Sequence, residues 1–424
     1  MSGWASAGHD GPAARRLLRG LFDAALQAVD PLQCVPPSLP TRPRGRTLVL
    51  GAGKASARMA RAVEAHWDGP LSGLVVTRYG HGEHCARIEI VEAGHPVPDE
   101  AGAIAARRML QMAGEMGPDD LVLALVSGGG SALTSLPAPG LTMADLRALN
   151  VALLRSGANI AEINTVRRHL SSIKGGRLAQ ACGAAALHTL VISDVAGDDP
   201  SAVASGPTVP DRSVPADALA VLQRHGIEPS PLVHALLQRE APALLSPTAA
   251  RHVQVVATAD MALRAAAHCA RQQGLEVFNL GGAVEGEARA VATAQAAIAR
   301  ALQAEGAGAR PRLLLSGGET TVTVRGTGRG GRNAEFLLAL ALGLHGAAGV
   351  HALACDTDGI DGLEDNAGGF VDPDSLRRAG ALGLSPSALL HNNDSHAFLA
   401  ALGDLVLTGP TRTNVNDFRA LLIT

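Results

Sequence analysis

The residues with the plainest chemical character lie in the loop GTGRGGR at residues 326–332, which mixes glycines with arginines. Glycines let backbone N–H groups approach a ligand closely, and the N-terminus of a following helix adds donors and partial positive charge. Arg325, Arg329 and Arg332 add planar donors that suit a carboxylate or a phosphate. We expect the helix to begin at Asn333, as its N-cap. The loop therefore indicates an anion-binding site, and the alternative is a hairpin followed by a flexible loop.

A second glycine turn, GAGKAS, carries Lys54 after a short apolar stretch. A P-loop would have glycine at position 48 and serine or threonine after the lysine, but the chain has Leu48 and Ala55. A dinucleotide-binding fold would have an acidic residue at the end of the next strand, and that strand ends in Thr77 and Arg78. Lys54 is therefore either solvated or directed at an anion from a helix N-terminus.

A third glycine loop, SGGGSAL, begins at Ser127 directly after the apolar stretch 121–126. The transition from a strand through Gly128, Gly129 and Gly130 into a helix is typical of an anion-binding nest. A nucleophile elbow of the GxSxG type is excluded, because Ser131 follows three glycines.

Carboxylates follow two of the predicted buried strands. Asp194 comes directly after the strand at 187–193, and DTDGIDG places Asp356, Asp358 and Asp361 after the strand at 350–355. Open α/β sheets bind ligands at such strand ends, and oxygen ligands suit Mg²⁺. An EF-hand is excluded, because position 361 is Asp where glycine is needed and position 367 is Ala where glutamate is needed. A pair of Asp-Gly turns is the alternative.

Other charged side chains allow two interpretations. The segment NTVRRHLSSIKGGRLA contains several cations, and helical spacing would place some of them on a solvated face. Ser172, Lys174 and Gly175 could instead line a cleft. His95, between glycine and proline, is either structural or catalytic.

Periodicity predicts two successive α/β series with a boundary near residue 240, which gives domains at 1–240 and 241–424. The first residues predict an amphipathic surface helix, and a new strand at 253–257 is expected to open the second domain. In that domain, Gly317 and Gly318 are predicted to turn one strand into another at 320–325. The segment PTRTNVNDF is predicted to begin a final helix.

Composition narrows the class of protein. The chain has 424 residues, of which 47% are hydrophobic and 2% aromatic, and its net charge is −3. These values supply material for large cores but do not favour nucleic-acid binding. Five scattered cysteines indicate a reducing compartment, and Asp23 and Asp30 interrupt any signal-peptide core, so we expect a cytoplasmic protein without membrane spans.

Glycine loops, cations and acids at strand ends are the parts that phosphoryl transfer requires. The residues alone therefore predict a nucleotide-dependent transferase that acts on a small anion.

Eight motifs together resemble one known family, the class II glycerate kinases, which are glycerate 2-kinases with a C-terminal MOFRL domain. The motifs, which lie in a region covering roughly residues 12 to 420, are GAGKAS, GHPVPDE, LVSGGGSAL, NTVRRHLSSIKGGRLA, SDVAGDDPSAVASGPT, LLSGGETTVTVRGTGRGGRNAEF, DTDGIDG and TGPTRTNVNDF. The resemblance implies phosphorylation of D-glycerate to 2-phosphoglycerate with ATP and Mg²⁺. It also implies a Rossmann-like N-terminal α/β domain, a smaller MOFRL-type α/β domain and an interdomain cleft.

Site residues carry over from the resemblance as hypotheses. Lys54, Arg332 and Asp194 would be catalytic, and Asp194, Asp356 and Asp358 would hold the metal. The predicted nucleotide contacts are Gly53, Ser127, Gly128, Gly129, Gly130, Ser131, Gly317, Gly318, Glu319, Gly330 and Asn333. Glycerate and the nucleotide are the expected partners, without nucleic acid or membrane, and a homodimer is compatible with the sequence.

Two other functions stay open from the sequence. Relatives of this kind have been labelled hydroxypyruvate reductases, and Arg78 could meet the 2′-phosphate of NADPH. However, no clear histidine–carboxylate pair for hydride transfer is visible. A non-catalytic sensor of sugar acids or nucleotides would bind a ligand without forming a product.

Overall fold

The computed structural model describes residues 11–239, 251–305 and 310–424. Strands alternate with helices along most of these residues, as the sequence pattern predicts. The strands are β1 (Thr47–Ala52), β2 (Ser72–Arg78), β3 (Ile88–Ala93), β4 (Leu121–Ser127), β5 (Ala186–Ile192), β6 (Arg251–Ala257), β7 (Glu276–Asn279), β8 (Gly286–Glu287), β9 (Arg312–Gly318), β10 (Thr320–Thr321), β11 (Val350–Asp356), β12 (Gly368–Val371), β13 (Leu405–Val406) and β14 (Asp417–Ile423).

The helices vary from one turn to five turns. They are α1 (Gly11–Ala28), α2 (Pro31–Cys34), α3 (Ser56–His66), α4 (Glu100–Gly114), α5 (Gly130–Leu133), α6 (Met143–Arg155), α7 (Ile160–His169), α8 (Arg177–Ala181), α9 (Pro215–Arg224), α10 (Pro231–Leu237), α11 (Ala259–Gln272), α12 (Ala288–Glu305), α13 (Arg332–Leu344), α14 (Ser375–Ala381), α15 (Pro386–His391) and α16 (Ser395–Leu402). Short 3-10 helices lie at Pro36–Ser38 and Val203–Ser205.

The chain divides into two units, each with its own six-stranded sheet in the described residues. We call Pro31–Ser193 with Asp198–Val256 the parallel-sheet unit. We call residues 11–30 with Asp194–Gly197 and Ala257–Thr424 the mixed-sheet unit. Both units are α/β structures, as the sequence predicts.

The parallel-sheet unit has the strand order β3-β2-β1-β4-β5-β6. The first five of these strands run parallel to one another. The two central strands, β1 and β4, are buried along their whole length, which is usual for a parallel sheet covered on both faces. Helices α6, α7, α9 and α10 form a separate apolar cluster in the same unit.

The mixed-sheet unit has the strand order β13-β12-β11-β14-β9-β7, in which β14 is antiparallel to both of its neighbours. Helices α12 and α13 pack over this sheet in one apolar core. Helix α1, the predicted amphipathic helix, belongs to this unit and buries Leu17, Leu18, Leu21 and Phe22. Arg15 pairs with Asp372 and Asp404 and links the first helix to this unit.

Three local predictions are wrong. Strand β6 was expected to open the second domain but lies beside β5, the strand that precedes it in the chain, at the edge of the parallel sheet. Consecutive strands often pair, so a new strand does not by itself mark a new domain. The segment predicted to begin a final helix leads into strand β14. All seven residues of β14 are buried between two neighbouring strands. Its last four residues, 420–423, form an apolar run, and such a run carries no alternation that distinguishes a strand from a helix.

The third error concerns the predicted hairpin around Gly317 and Gly318. Both glycines belong to β9 itself, and the second strand is only β10, which pairs with β8. The domain boundary predicted at residue 240 lies outside the described residues, and the two units divide the chain elsewhere. Within the described residues, no helix is both long and apolar enough to cross a bilayer.

Candidate functional site

The turn after β1 and the turn after β4 lie side by side in the parallel-sheet unit, because β1 and β4 are adjacent and parallel. The backbone N–H of Lys54 donates to the Gly128 carbonyl at 2.8 Å. The hydroxyl of Ser127 accepts from the backbone N–H of Ala55 at 3.0 Å, and a side chain at Gly53 would collide with that hydroxyl. Two glycine turns that the sequence treats separately therefore form one surface at the carboxyl edge of the sheet.

Ser127 has a structural position in this surface. It is fully buried, and its hydroxyl also lies 3.1 Å from the hydroxyl of Ser56. These bonds show that the hydroxyl connects the two turns. The predicted contact of Ser127 with a nucleotide stays a prediction.

Gly129 brings Lys54 and His95 together. A Cβ atom at Gly129 would lie 3.0 Å from His95 Nε2 and 3.2 Å from Lys54 Cγ, and the φ angle of Gly129 is +81°. A side chain here would be strained and would crowd both neighbours, so glycine is required. His95, which the sequence left between a structural and a catalytic role, lies beside the predicted lysine.

A cavity of about 270 Å³ opens next to this surface, within the parallel-sheet unit. Its lining includes Gly129, Ser131 and His95 together with Arg167 and Lys174. Leucines of α6, together with Val166 of α7 and Leu170 just after it, supply much of the remaining wall. Among the described residues that line the cavity, none is Asp or Glu. The cavity is therefore cationic and partly apolar.

Lys174 is the most deeply buried cation of this cavity, with 6% of its surface exposed. Burial, together with the nearby charge of Arg167, lowers the pKa of Lys174 to about 7. The sequence left open whether this lysine lies on a solvated face or lines a cleft, and the structure places it in the cavity wall. Arg168, which follows Arg167 in the chain, instead pairs with Asp211 and does not line the cavity.

Arg332, at the start of α13, is the centre of an ion-pair network in the mixed-sheet unit. Its Nε donates to Asp417 at 2.7 Å, its Nη1 to Glu319 at 2.8 Å and its Nη2 to Asp356 at 2.7 Å. Burial alone would lower the pKa of Arg332, but Asp417, Asp356 and Glu319 hold it well above its usual value. Three of its five N–H donors are thus used within the protein.

Asp417 and Arg419 are central to this network, and the sequence analysis missed both of them. Asp417 is fully buried and accepts from Arg332, from Arg419 and from the Asn333 side chain. Burial would raise the pKa of Asp417, but Arg332 and Arg419 keep it below its usual range. The sequence does contain a signal for this pair. Two charged residues stand at alternate positions of a last strand that is otherwise apolar, which indicates buried charges on one face of that strand.

Asp361 caps helix α13 from another segment of the chain. Its carboxylate accepts from the backbone N–H of Asn333 at 2.9 Å and of Ala334 at 2.8 Å. Burial raises the pKa of Asp361 to about 6, although these two bonds favour its charged form. The helix begins at Arg332 with Gly331 as its N-cap, so the prediction of Asn333 as the N-cap is wrong.

Several backbone N–H groups of the glycine-rich loop before α13 donate to protein acceptors, and the predicted contact of Gly330 with a nucleotide stays a prediction. The backbone N–H groups of Arg325 and Gly326 donate to the Asn393 side chain, that of Thr327 donates to Asn392, and that of Arg329 donates to Asp394. Residues 392–394 thus supply the oxygens that we expected from a ligand. The Arg329 side chain pairs with Glu364, and a side chain at Gly330 would collide with Ser395.

Gly317 and Gly318 are explained by close backbone packing. The N–H of Gly317 donates to the Gly281 carbonyl at 2.9 Å, and a side chain at Gly318 would collide with the Val284 backbone. Glu319, the next residue, has a half-exposed side chain that pairs with Arg332. The predicted nucleotide contacts of these residues stay predictions.

Asp194 is held by two asparagines of the segment before β14, which the sequence analysis also missed. Asn414 donates to its carboxylate at 3.0 Å, and the Asn416 side chain donates to its backbone carbonyl. The Asn416 carbonyl in turn accepts from the backbone N–H of Thr357 at 3.0 Å. Thr357 lies between Asp356 and Asp358, so all three predicted metal ligands belong to one region of the mixed-sheet unit.

Asp356 and Asp358 are adjacent in that region. The Asp356 carboxylate accepts from the backbone N–H of Asp358 at 3.0 Å, and Asp358 accepts from that of Ile360 at 2.9 Å. Across residues 11–239, 251–305 and 310–424, no group of three or more His, Cys, Asp or Glu side chains could hold a metal ion.

Comparison with known proteins agrees with this two-part structure. A family described as a domain of unknown function, DUF4147, matches residues 17–238, and the MOFRL family matches residues 312–417. A protein of Agrobacterium vitis, provisionally named a hydroxypyruvate reductase, is 53% identical over 97% of this chain and 94% of its own length.

Two kinases are also similar over most of the chain. The D-glycerate 2-kinase of Thermotoga maritima is 40% identical over 95% of this chain and 97% of its own length. A crystal structure of glycerate kinase from the same organism has a TM-score of 0.88 and 39% identity, covering 97% of this chain and all of that one. The glycerate 2-kinase of Pyrococcus horikoshii is 37% identical over 90% of this chain and 88% of its own length. The chain therefore belongs to the class II glycerate kinase family, whose members join a DUF4147 domain to a MOFRL domain.

Proposed function

We propose that this protein transfers the γ-phosphoryl group of ATP to the 2-hydroxyl of D-glycerate, forming 2-phosphoglycerate and ADP. The observation that carries the proposal is the position of Lys54 against Gly129, at the edge of a cationic cavity without acidic lining in the described residues. Similarity to two named glycerate 2-kinases over most of the chain supports the same reaction.

The reaction needs charge stabilisation more than covalent chemistry. The hydroxyl oxygen attacks phosphorus, the bond to the ADP oxygen breaks, and the hydroxyl proton leaves to a base. In our proposal Lys54 stabilises the charge on the transferred phosphoryl group, and Asp194 accepts the proton. In the same proposal, the nucleotide phosphates approach the backbone of the two glycine turns closely, at Gly53, Gly128, Gly129 and Gly130.

The proposed Mg²⁺ ligands are one or two of the carboxylates of Asp194, Asp356 and Asp358, because the described residues contain no group of three such side chains that could hold an ion. The donors fit, because all of them are carboxylate oxygens and the region around Arg332 holds more acids than bases. Mg²⁺ in kinases takes only one or two protein carboxylates and completes its shell with phosphates and waters. When bound, the ion would neutralise charge on the phosphate oxygens.

Three guanidinium N–H groups of Arg332 donate to its acidic partners. We propose that the two remaining N–H groups hold an anionic group of the substrate or the nucleotide. These partners also fix the orientation of its guanidinium plane, which preorganises the remaining donors. The prediction that the substrate lies in a cleft between the two domains stays a prediction.

The alternative activity is NAD(P)H-dependent reduction of hydroxypyruvate, which the provisional name of the Agrobacterium vitis relative suggests. It is less well supported, because β2 ends at Arg78 without the acidic residue that binds the ribose of NAD.

The deciding experiment incubates the purified protein with D-glycerate, ATP and Mg²⁺ and follows the products by phosphorus NMR. A 2-phosphoglycerate signal with equimolar ADP supports the proposal. A 3-phosphoglycerate signal would correct the position of transfer. Oxidation of NADPH by hydroxypyruvate, measured by absorbance with no phosphorylated product, would replace the proposal with the reductase.

We further propose a cytoplasmic location, since the five cysteines, all among the described residues, form no disulfide, as is typical of a reducing compartment. A homodimer is a proposal that light scattering of the purified protein would test.

A further inference from the structure

The chain contains only two lysines, Lys54 and Lys174. The proposed function uses Lys54 and gives no role to Lys174. Yet Lys174 is the more buried of the two and lies in the cavity wall. A buried charge without a partner is costly, so its position requires an explanation.

Lys174 has no acidic partner in the part of the chain that the structure describes. The charged group that acts on it is Arg167 of α7, which repels it. Arg167 is itself held by neutral amides: its Nε donates to the Asn150 side chain at 2.9 Å, and Asn164 lies 3.5 Å from its Nη1. Two cations thus face one cavity while the described residues around them supply only neutral acceptors.

The other titratable groups that face the cavity do not neutralise this charge. Arg147 of α6 is exposed and donates to the Pro98 carbonyl, and His95 lies next to Gly129. The apolar wall, which includes Leu149 and Leu153 of α6 and Leu170 after α7, lowers the local dielectric constant. An anion that entered would interact more strongly with Lys174 and Arg167 than it would in water.

The size and lining of the cavity favour a small acid over a whole nucleotide. Its volume of about 270 Å³ lies below the range of about 300–1,000 Å³ usual for drug-sized ligands. Among the described lining residues there is no Phe, Tyr or Trp on which a base could stack. Ser131 and the Asn150 side chain, both at the wall, are suitable partners for hydroxyl groups.

We propose that Lys174 and Arg167 bind the carboxylate of the 2-hydroxy acid substrate in this cavity. The inference rests on the proposed function, because it names the subsite for the acceptor of that reaction. A carboxylate beside Lys174 favours its charged form and raises its pKa from about 7. Binding above pH 7 then requires proton uptake, so the affinity for the acid falls by up to about tenfold per pH unit.

The first test observes the lysines directly and does not depend on catalysis. Protein labelled with ¹³C at lysine Cε gives two signals, which Lys54→Met and Lys174→Met variants assign. D-glycerate alone should raise the pKa of Lys174 by at least about one unit. Inorganic tripolyphosphate, a probe for the nucleotide phosphates, should leave the pKa of Lys174 unchanged.

The second test measures kinetics. Lys174→Met and Arg167→Met should each raise the KM for D-glycerate by about 10- to 100-fold, because each loses a charged hydrogen bond. The KM for ATP should stay within about twofold. Lys174→Arg should recover part of the loss, and Arg155→Met is the matched control, since Arg155 is an exposed cation of α6 that does not line the cavity.

The outcomes separate the two proposals. Absence of any kinase product from the wild-type protein would overturn the proposed function, while the NMR titration would still test the carboxylate subsite. If tripolyphosphate shifts Lys174 and D-glycerate does not, or if neither ligand does, the carboxylate subsite is wrong. A rise confined to the KM for ATP would also overturn it.

Discussion

Arg332 and Asp417 lie 85 residues apart in the chain, and Nε of Arg332 donates to a carboxylate oxygen of Asp417 at 2.7 Å. The acceptor lies at the start of strand β14 and is fully buried, whereas the donor lies in the first turn of α13. This pair connects the end of the glycine-rich loop to one of the two central strands of the mixed sheet. It orients Arg332 before any ligand is present.

Replacement of Arg332 by lysine should lower kcat/KM for glycerate by about 100-fold, because an ammonium group cannot reproduce the planar fork that contacts three acids. The measurement is the initial rate of ADP release with saturating ATP. Arg329→Lys is the matched control, since Arg329 pairs with Glu364 and its side chain is 69% exposed. Equal losses in both variants would contradict a special role for Arg332.

Replacement of Lys54 by alanine should reduce turnover by about 10²-fold or more if this lysine stabilises charge in the transition state. The thermal unfolding midpoint should change little, because the backbone bond from residue 54 to Gly128 does not need the side chain. Rate measurements and circular dichroism on the same preparation check both statements. Wild-type turnover would remove Lys54 from the mechanism.

Replacement of Asp194 by asparagine should raise the Mg²⁺ concentration for half-maximal rate by about tenfold or more, because the variant loses a charged oxygen ligand. Rates are measured across a Mg²⁺ titration at fixed ATP. Asp199→Asn is a suitable control, because Asp199 is exposed in the following turn and accepts from Ser201. An unchanged Mg²⁺ requirement would exclude Asp194 as a ligand.

Replacement of Asp361 by asparagine should destabilise the protein by about 1–3 kcal/mol. The carboxylate accepts backbone N–H bonds from Asn333 and Ala334, and an amide NH₂ would face one of these donors without an acceptor. Urea unfolding followed by circular dichroism measures the change. Asp365→Asn, at an exposed position nearby, should stay within about 0.5 kcal/mol of wild type.

The pH dependence of stability should report Lys174. The pKa of Lys174 is about 7 in the folded protein and 10.5 for an unperturbed lysine, so the unfolded chain binds one more proton between these limits. Stability therefore rises with pH in this window, by at most about 1.4 kcal/mol per pH unit.

The comparison of wild type with Lys174→Met isolates this contribution, since other groups titrate in both proteins. Urea unfolding at pH 7, 8 and 9 should show a steeper rise for the wild type than for the variant. Parallel slopes would mean that Lys174 is charged in the free protein at these pH values.

The sequence by itself determined the local parts of this protein. Apolar stretches followed by glycine turns predict β1 and β4 with their loops, and the helix from Asp99 follows from an N-cap that the structure contains. Such features depend on residues close in the chain, so local propensity and periodicity suffice to find them.

The tertiary structure decided what those parts contact. Residues 392–394 accept hydrogen bonds from backbone N–H groups of the glycine-rich loop, and Asp361 caps α13. Nothing in the sequence of the loop itself indicates either interaction. Strand β14 carries Asp417 into the network of Arg332 because it lies between β11 and β9. Contacts between residues tens to hundreds of positions apart depend on strand order and packing, which the spacing of residues along one chain does not encode.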